Sequence, residues 1–159
     1  MMDIAELLRL EGVVANLRVA TKKQALQELA KRAADLPELK GRIAERDIFE
    51  VLLERERLGT TGVGAGIAIP HGKLPRLERL HGLFAKLDRP IDFEAIDEQP
   101  VDLIFVLLAP EAAGADHLKA LARVSRLLRD RSICDKLRGS DSADALYAVL
   151  TETTASHAA

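Results

Sequence analysis

The chain has 159 residues, 48% of them hydrophobic, 30% charged and 3% aromatic, and its formal net charge is −2. That is the size of one ordinary domain, with enough Leu, Ile, Val and Ala to bury a core. The near-balanced charge argues against a nucleic-acid binder, no apolar run reaches membrane-spanning length, and the N-terminus lacks a signal-peptide pattern.

A cytoplasmic location without membrane insertion is the expectation that follows. The single cysteine, Cys134, cannot form an intrachain disulfide. In "SICDKL" it reads as a buried small apolar residue rather than a nucleophile.

Residues 3–8 read as a short opening helix or turn, and the β-branched stretch 12–19 as a short strand. Thr21 as N-cap, with Gln24 after it, forms a capping box. The helix it opens carries Ala25, Leu26, Leu29, Ala30 and Ala33 on one face. Pro37 ends it near Leu36. The next helix is predicted over 45–57, with Ile48, Phe49, Val51 and Leu52 inward. Gly59 stops it.

"GIAIP" (66–70) reads as a strand closed by Pro70. Residues 81–88 alternate as a half-buried strand does, and 101–110 are apolar almost throughout, as in a central strand covered on both faces. Asp116 is predicted as N-cap of a helix over 117–129, with Leu118, Leu121, Val124, Ser125 and Leu128 on one face. Helices near 132–138 and 142–151 follow, the latter capped by Ser142 or Asp141. The predicted fold is α/β: a single-domain sandwich with a small mixed β-sheet flanked by helices on both faces. It is expected over 1–154, with a flexible tail at 155–159. Strand order is not readable from the pattern.

The segment "GTTGVGAGIAIPHGK" (59–73) raises the question of phosphate binding. A P-loop needs four residues between its first Gly and Gly-Lys, then Ser or Thr. Here five residues separate Gly66 from Gly72-Lys73, and Leu74 follows. A dinucleotide fingerprint fails too, because Ile67 stands where its last Gly belongs and a strand follows. A plain turn would suit the glycines alone.

His71 changes the balance. It lies between a strand-ending Pro70 and Gly72, at a strand end, where α/β proteins place their sites. A surface histidine in a turn is the plain alternative. A neutral imidazole is a competent nucleophile toward a phosphoryl group, and such transfer needs cations and donors around the moving oxygens. Candidates are Arg55 and Arg57 upstream, Lys73 downstream, and His117 in the first turn of a helix. A helix N-terminus keeps a histidine neutral and aims amides at an anion. A metal site is weaker, because the four histidines are dispersed.

The segments "RERLGTTGVGAGIAIPHGK", "PIDFEAIDEQPVDLIFVLLAP", "HLKALARVSRLLRD" and "ICDKLR" resemble the enzyme IIA domains of the bacterial phosphotransferase system. The resemblance is to the fructose/mannitol type, within it to the nitrogen-regulatory branch, and it covers about residues 3–152. It implies a phosphoryl carrier that needs no cofactor. A histidine-containing phosphocarrier protein would donate to His71, the histidine of the family's P-H-G motif. His117 matches the family's second active-site histidine, in its H-L motif. Arg55 matches the active-site arginine, with Arg57 the near alternative.

In the nitrogen-regulatory branch the phosphorylation state is read by partners such as potassium-transport proteins or sensor kinases. The alternative is a sugar-specific enzyme IIA passing phosphate to a IIB cysteine for fructose or mannitol transport. A further reading is a protein-binding module that keeps the fold without being phosphorylated.

Overall fold

A computed structural model describes residues 3–158, and the side chains of 3–152. Helix α1 (Ile4–Leu7) and a 3-10 turn lead into β1 (Val13–Leu17), followed by α2 (Lys22–Ala34) and α3 (Glu45–Leu58). The strands β2 (Gly62–Gly64), β3 (Ile67–Ala68), β4 (His71–Leu74), β5 (His81–Ile91) and β6 (Val101–Pro110) come next. Helices α4 (Ala115–Arg129), α5 (Arg131–Arg138) and α6 (Ala143–Ala158) close the chain. The expected flexible tail at 155–159 lies outside the residues whose side chains are described. Among the described residues no helix is long and apolar enough to cross a membrane.

The strands form one mixed sheet in the order β1-β5-β6-β3-β2, with β4 also on β6. Alternate residues of β6 feed two separate cores. Ile104, Val106 and Leu108 pack with Leu26, Leu29, Ile48 and Leu52 of α2 and α3. Leu103, Phe105 and Leu107 pack with Val124, Leu128 and Leu146 of α4 and α6. Apolar residues on both faces are what make β6 read as a continuous hydrophobic run, and the helices do lie on both faces. Each fully buried Leu or Ile contributes about 1.5–3 kcal/mol by leaving water.

Local signals explain several boundaries. The Thr21 side chain accepts from Gln24 N at 3.1 Å. The Gln24 side chain accepts from Ala20 N at 2.9 Å, so the reciprocal half of the capping box falls one residue before the cap. Ser142, rather than Asp141, caps α6 by accepting from Ala145 N at 3.1 Å.

Four expectations need correcting. The chain does not leave the sheet at Pro70: Ile67 and Ala68 pair with Leu103 and Ile104, and His71 resumes pairing opposite Leu107 as the first residue of β4. Proline removes only its own donor. Its carbonyl still accepts from Leu107 N at 2.9 Å, and the ladder restarts one residue later.

Asp116 is not the N-cap of α4. Gly114, at φ +54°, holds that place, and Asp116 lies in the first turn, where a negative charge suits the helix dipole. The buried face is also rotated from the predicted one. His117 is 7% exposed and packs inward ahead of Ala120 and Val124, while Leu118 is 67% exposed. Finally, β2 lay hidden in the glycine-rich stretch. It forms a hairpin with β3 whose turn residues Ala65 and Gly66 have φ of +58° and +82°.

Candidate functional site

His71 takes its neighbours from both sides of the sheet. From the α3 side, Arg55 in the last turn donates through Nε–H to His71 Nε2 at 3.2 Å. Its Nη1–H donates to Gly59 O at 2.9 Å, tying the guanidinium to the helix end. From the α4 side, the His117 ring lies 5.6 Å from the His71 ring, centroid to centroid, tilted by 51°. In the link between β3 and β4, two residues before His71, the carbonyl oxygen of Ile69 meets His71 Nδ1 at 2.9 Å.

These contacts assign the ring. A carbonyl oxygen can only accept and a guanidinium can only donate. Nδ1 therefore carries the proton and gives it to Ile69 O, and the Nε2 lone pair faces Arg55. Burial lowers the His71 pKa below 6.5, and the Arg55 charge lowers it further. The Ile69 bond and the Glu56 charge oppose them. The imidazole is neutral at physiological pH, and its free lone pair points at a fixed cation.

His117 is also held below its ordinary pKa, first by burial and then by His71 and Lys73. Its Nδ1 is buried and has no hydrogen-bond partner among the described residues. Lys73 is exposed and stands two residues along β4, on the same side of the strand as His71.

Close approach of α3 to β4 depends on Gly72. A Cβ there would overlap Val51 Cγ1 outright. Val51 lies one helical turn before Arg55, so a bare backbone at Gly72 brings the guanidinium within reach of His71.

The structure thus brings together His71, Arg55 and His117. It leaves Arg57 elsewhere: that side chain is exposed and pairs with Glu54 at 3.2 Å. Cys134 is buried, its thiol donates to Leu128 O at 3.1 Å, and burial pushes its pKa up. Among the described residues no group of three or more His, Cys, Asp or Glu side chains gathers as metal ligands would.

One charged residue escaped the sequence reading. Glu56 follows Arg55, yet its side chain is only 3% exposed. Its carboxylate accepts from Thr61 N at 3.0 Å and from the Thr61 hydroxyl, and pairs with Lys22 Nζ at 2.8 Å. The Lys22 ammonium also stands over the Phe93 ring, 4.8 Å from its centroid. The only signal in the sequence was a carboxylate among the cations of a helix end, followed by two threonines.

Comparison with known proteins adds the family context. Residues 6–153 match the family described as phosphoenolpyruvate-dependent sugar phosphotransferase system, EIIA 2. A nitrogen regulatory protein of Bradyrhizobium diazoefficiens is 63% identical over 149 residues, covering 94% of this chain and 95% of that one. One from Escherichia coli is 40% identical over 153 residues, covering 96% and 91%. Among solved structures, nitrogen regulatory protein IIA-Ntr from Neisseria meningitidis is similar, with a TM-score of 0.86 at 36% identity, covering 93% of this chain and 99% of that one.

Proposed function

Because the chain belongs to the EIIA 2 family of the phosphoenolpyruvate-dependent sugar phosphotransferase system, we propose that it is a regulatory phosphoryl carrier with His71 as the acceptor. The observation that carries this reading is the pair of contacts on one neutral ring, Nδ1 on Ile69 O and Nε2 facing Arg55. The Nε2 lone pair attacks the phosphorus of a phosphohistidine on a histidine-containing phosphocarrier protein. The new N–P bond forms as the donor's N–P bond breaks, and the donor imidazole leaves with the electron pair. The proton on Nδ1 stays in its bond to Ile69 O, which steadies the ring as it becomes N-phosphorylated.

Arg55 moves from the lone pair to the incoming oxygens, where a guanidinium offsets charge in two-point fashion. His117 stands where it can donate to the same oxygens. Phosphorylation adds about −1.5 to −2 of charge at one spot. That is the signal a partner would read in the cytoplasm, with potassium-transport proteins or sensor kinases as candidate readers. The names of the relatives favour a regulatory output. The family description, which speaks of sugar, keeps open a second reading in which phosphate passes to a IIB cysteine.

The test is incubation with phosphoenolpyruvate and the upstream phosphotransferase proteins, followed by locating the phosphate by mass spectrometry. His71→Ala is expected to take up none, and phosphate retained on that variant refutes the assignment. A growth defect confined to fructose or mannitol after deletion favours the sugar reading.

A further inference from the structure

Glu56 is a buried carboxylate with every strong contact satisfied: Lys22 supplies a cation, and Thr61 supplies its amide and its hydroxyl. An apolar side chain of similar volume commonly serves stability as well as a buried ion pair does. What a carboxylate adds here is direction. Its two bonds to Thr61 fix that peptide against the end of α3. The Thr61 carbonyl then accepts from Ile69 N at 3.0 Å. The Ile69 carbonyl accepts in turn from His71 Nδ1. Beyond the carboxylate the path runs mainly through backbone groups, so it has little rotamer freedom to absorb a displacement.

We propose that Glu56 is a positioning residue for His71: through Thr61 and Ile69 it holds the carbonyl that keeps the proton on Nδ1 and leaves Nε2 free to react. The proposal rests on the phosphocarrier reading for its functional meaning, and on the contacts alone for its geometry. Two consecutive residues of one helix end thereby govern the two nitrogens of the same ring. Arg55 faces Nε2 directly, and Glu56 acts on Nδ1 through the loop.

The test is the imidazole nitrogen spectrum of the full-length, unphosphorylated protein by 15N NMR, across pH, for wild type, Glu56→Gln and Thr61→Val. Glu56→Gln keeps the volume and an acceptor but removes the charge. Thr61→Val removes the hydroxyl donor and no charge. Both variants are expected to lose part of the Nδ1–H tautomer of His71. The His71 titration midpoint should fall in Glu56→Gln, because the Glu56 charge and the Ile69 bond both hold it up. General loosening would instead re-wet the ring and raise the midpoint toward 6.5.

Phosphorylation by the upstream proteins should slow by up to about 100-fold, the scale of loss when a reacting group is misplaced by about 1 Å. Wild-type tautomer populations in both folded variants, or a midpoint that rises, overturns the proposal. If Glu56→Gln does not fold by circular dichroism, an unchanged tautomer in Thr61→Val overturns it alone. A tautomer shift in a protein whose wild type accepts no phosphate supports the positioning contact and refutes the phosphocarrier reading.

Discussion

Gly72→Ala is the sharpest test of how the site is assembled. No positive φ is required at Gly72, so an alanine meets no backbone strain there, only Val51. The added methyl would overlap Val51 Cγ1, while Val51 Cβ stays at 3.6 Å and its carbonyl carbon at 3.8 Å. Carbon atoms settle at about 3.5–4 Å, so roughly 1 Å or more of relief is needed. A valine in a helix has one strongly preferred rotamer, so part of that relief must come from α3 backing away from β4.

Overpacking of this kind costs about 1–3 kcal/mol, offset by about 0.4–1 kcal/mol from the stiffer unfolded chain. The net loss is about 1–2 kcal/mol, or a Tm lower by about 2–8 °C in a chain of this length. A 1 Å retreat also takes Arg55 Nε from 3.2 Å to beyond hydrogen-bond range of His71. Misplacement on that scale costs up to about 100-fold in rate.

Thermal unfolding and the rate of phosphoryl uptake are the two assays. Val51→Ala placed in the Gly72→Ala background should restore much of the rate by vacating the space. Gly139→Ala is the control, since its methyl would reach Asp135 O at 3.4 Å and nothing closer. An unchanged Tm and rate in Gly72→Ala, or no recovery in the double variant, refutes the reasoning.

Other outcomes follow from charge. Burial is the first cause that lowers the pKa of His71, His81 and His117 from 6.5. Below that pH the unfolded chain binds these protons more readily than the folded one, so stability is full above about pH 6.5 and declines as pH falls beneath it. The urea midpoint measured between pH 8 and pH 5 should drop toward acid, and a flat or rising profile contradicts this. Lys22→Met strips the buried Glu56 of its cation and should cost about 3 kcal/mol in urea unfolding, with a loss under about 1 kcal/mol counting against a tightly paired carboxylate.

Some of this was legible in the residues. The run 101–110 matches β6 at both ends, because a strand buried on two faces needs no alternation to be seen. The histidine between Pro70 and Gly72 stood out because both neighbours constrain the backbone. The strands β2 and β4 were not legible. They are three and four residues long, GVG and HGKL, and exist only because β3 and β6 pair with them.

The inward face of α4 was misjudged by one residue. Leu118 is expected on the core face, and packing against β6 turns it outward and His117 inward. The choice between Arg55 and Arg57 was likewise a matter of helix phase against a strand 16 residues away. Glu56 was invisible for a related reason: burial of a charge depends on a lysine and a threonine that arrive from α2 and from the loop.

The sheet separates the interior into two cores, one with α2 and α3, the other with α4, α5 and α6. His71 draws Arg55 from the first layer and His117 from the second. The proposed phosphoryl acceptance would therefore work as a caliper across the molecule. Any change that slides one helical layer along the sheet, however far from His71, alters the gap between its jaws before either core comes apart.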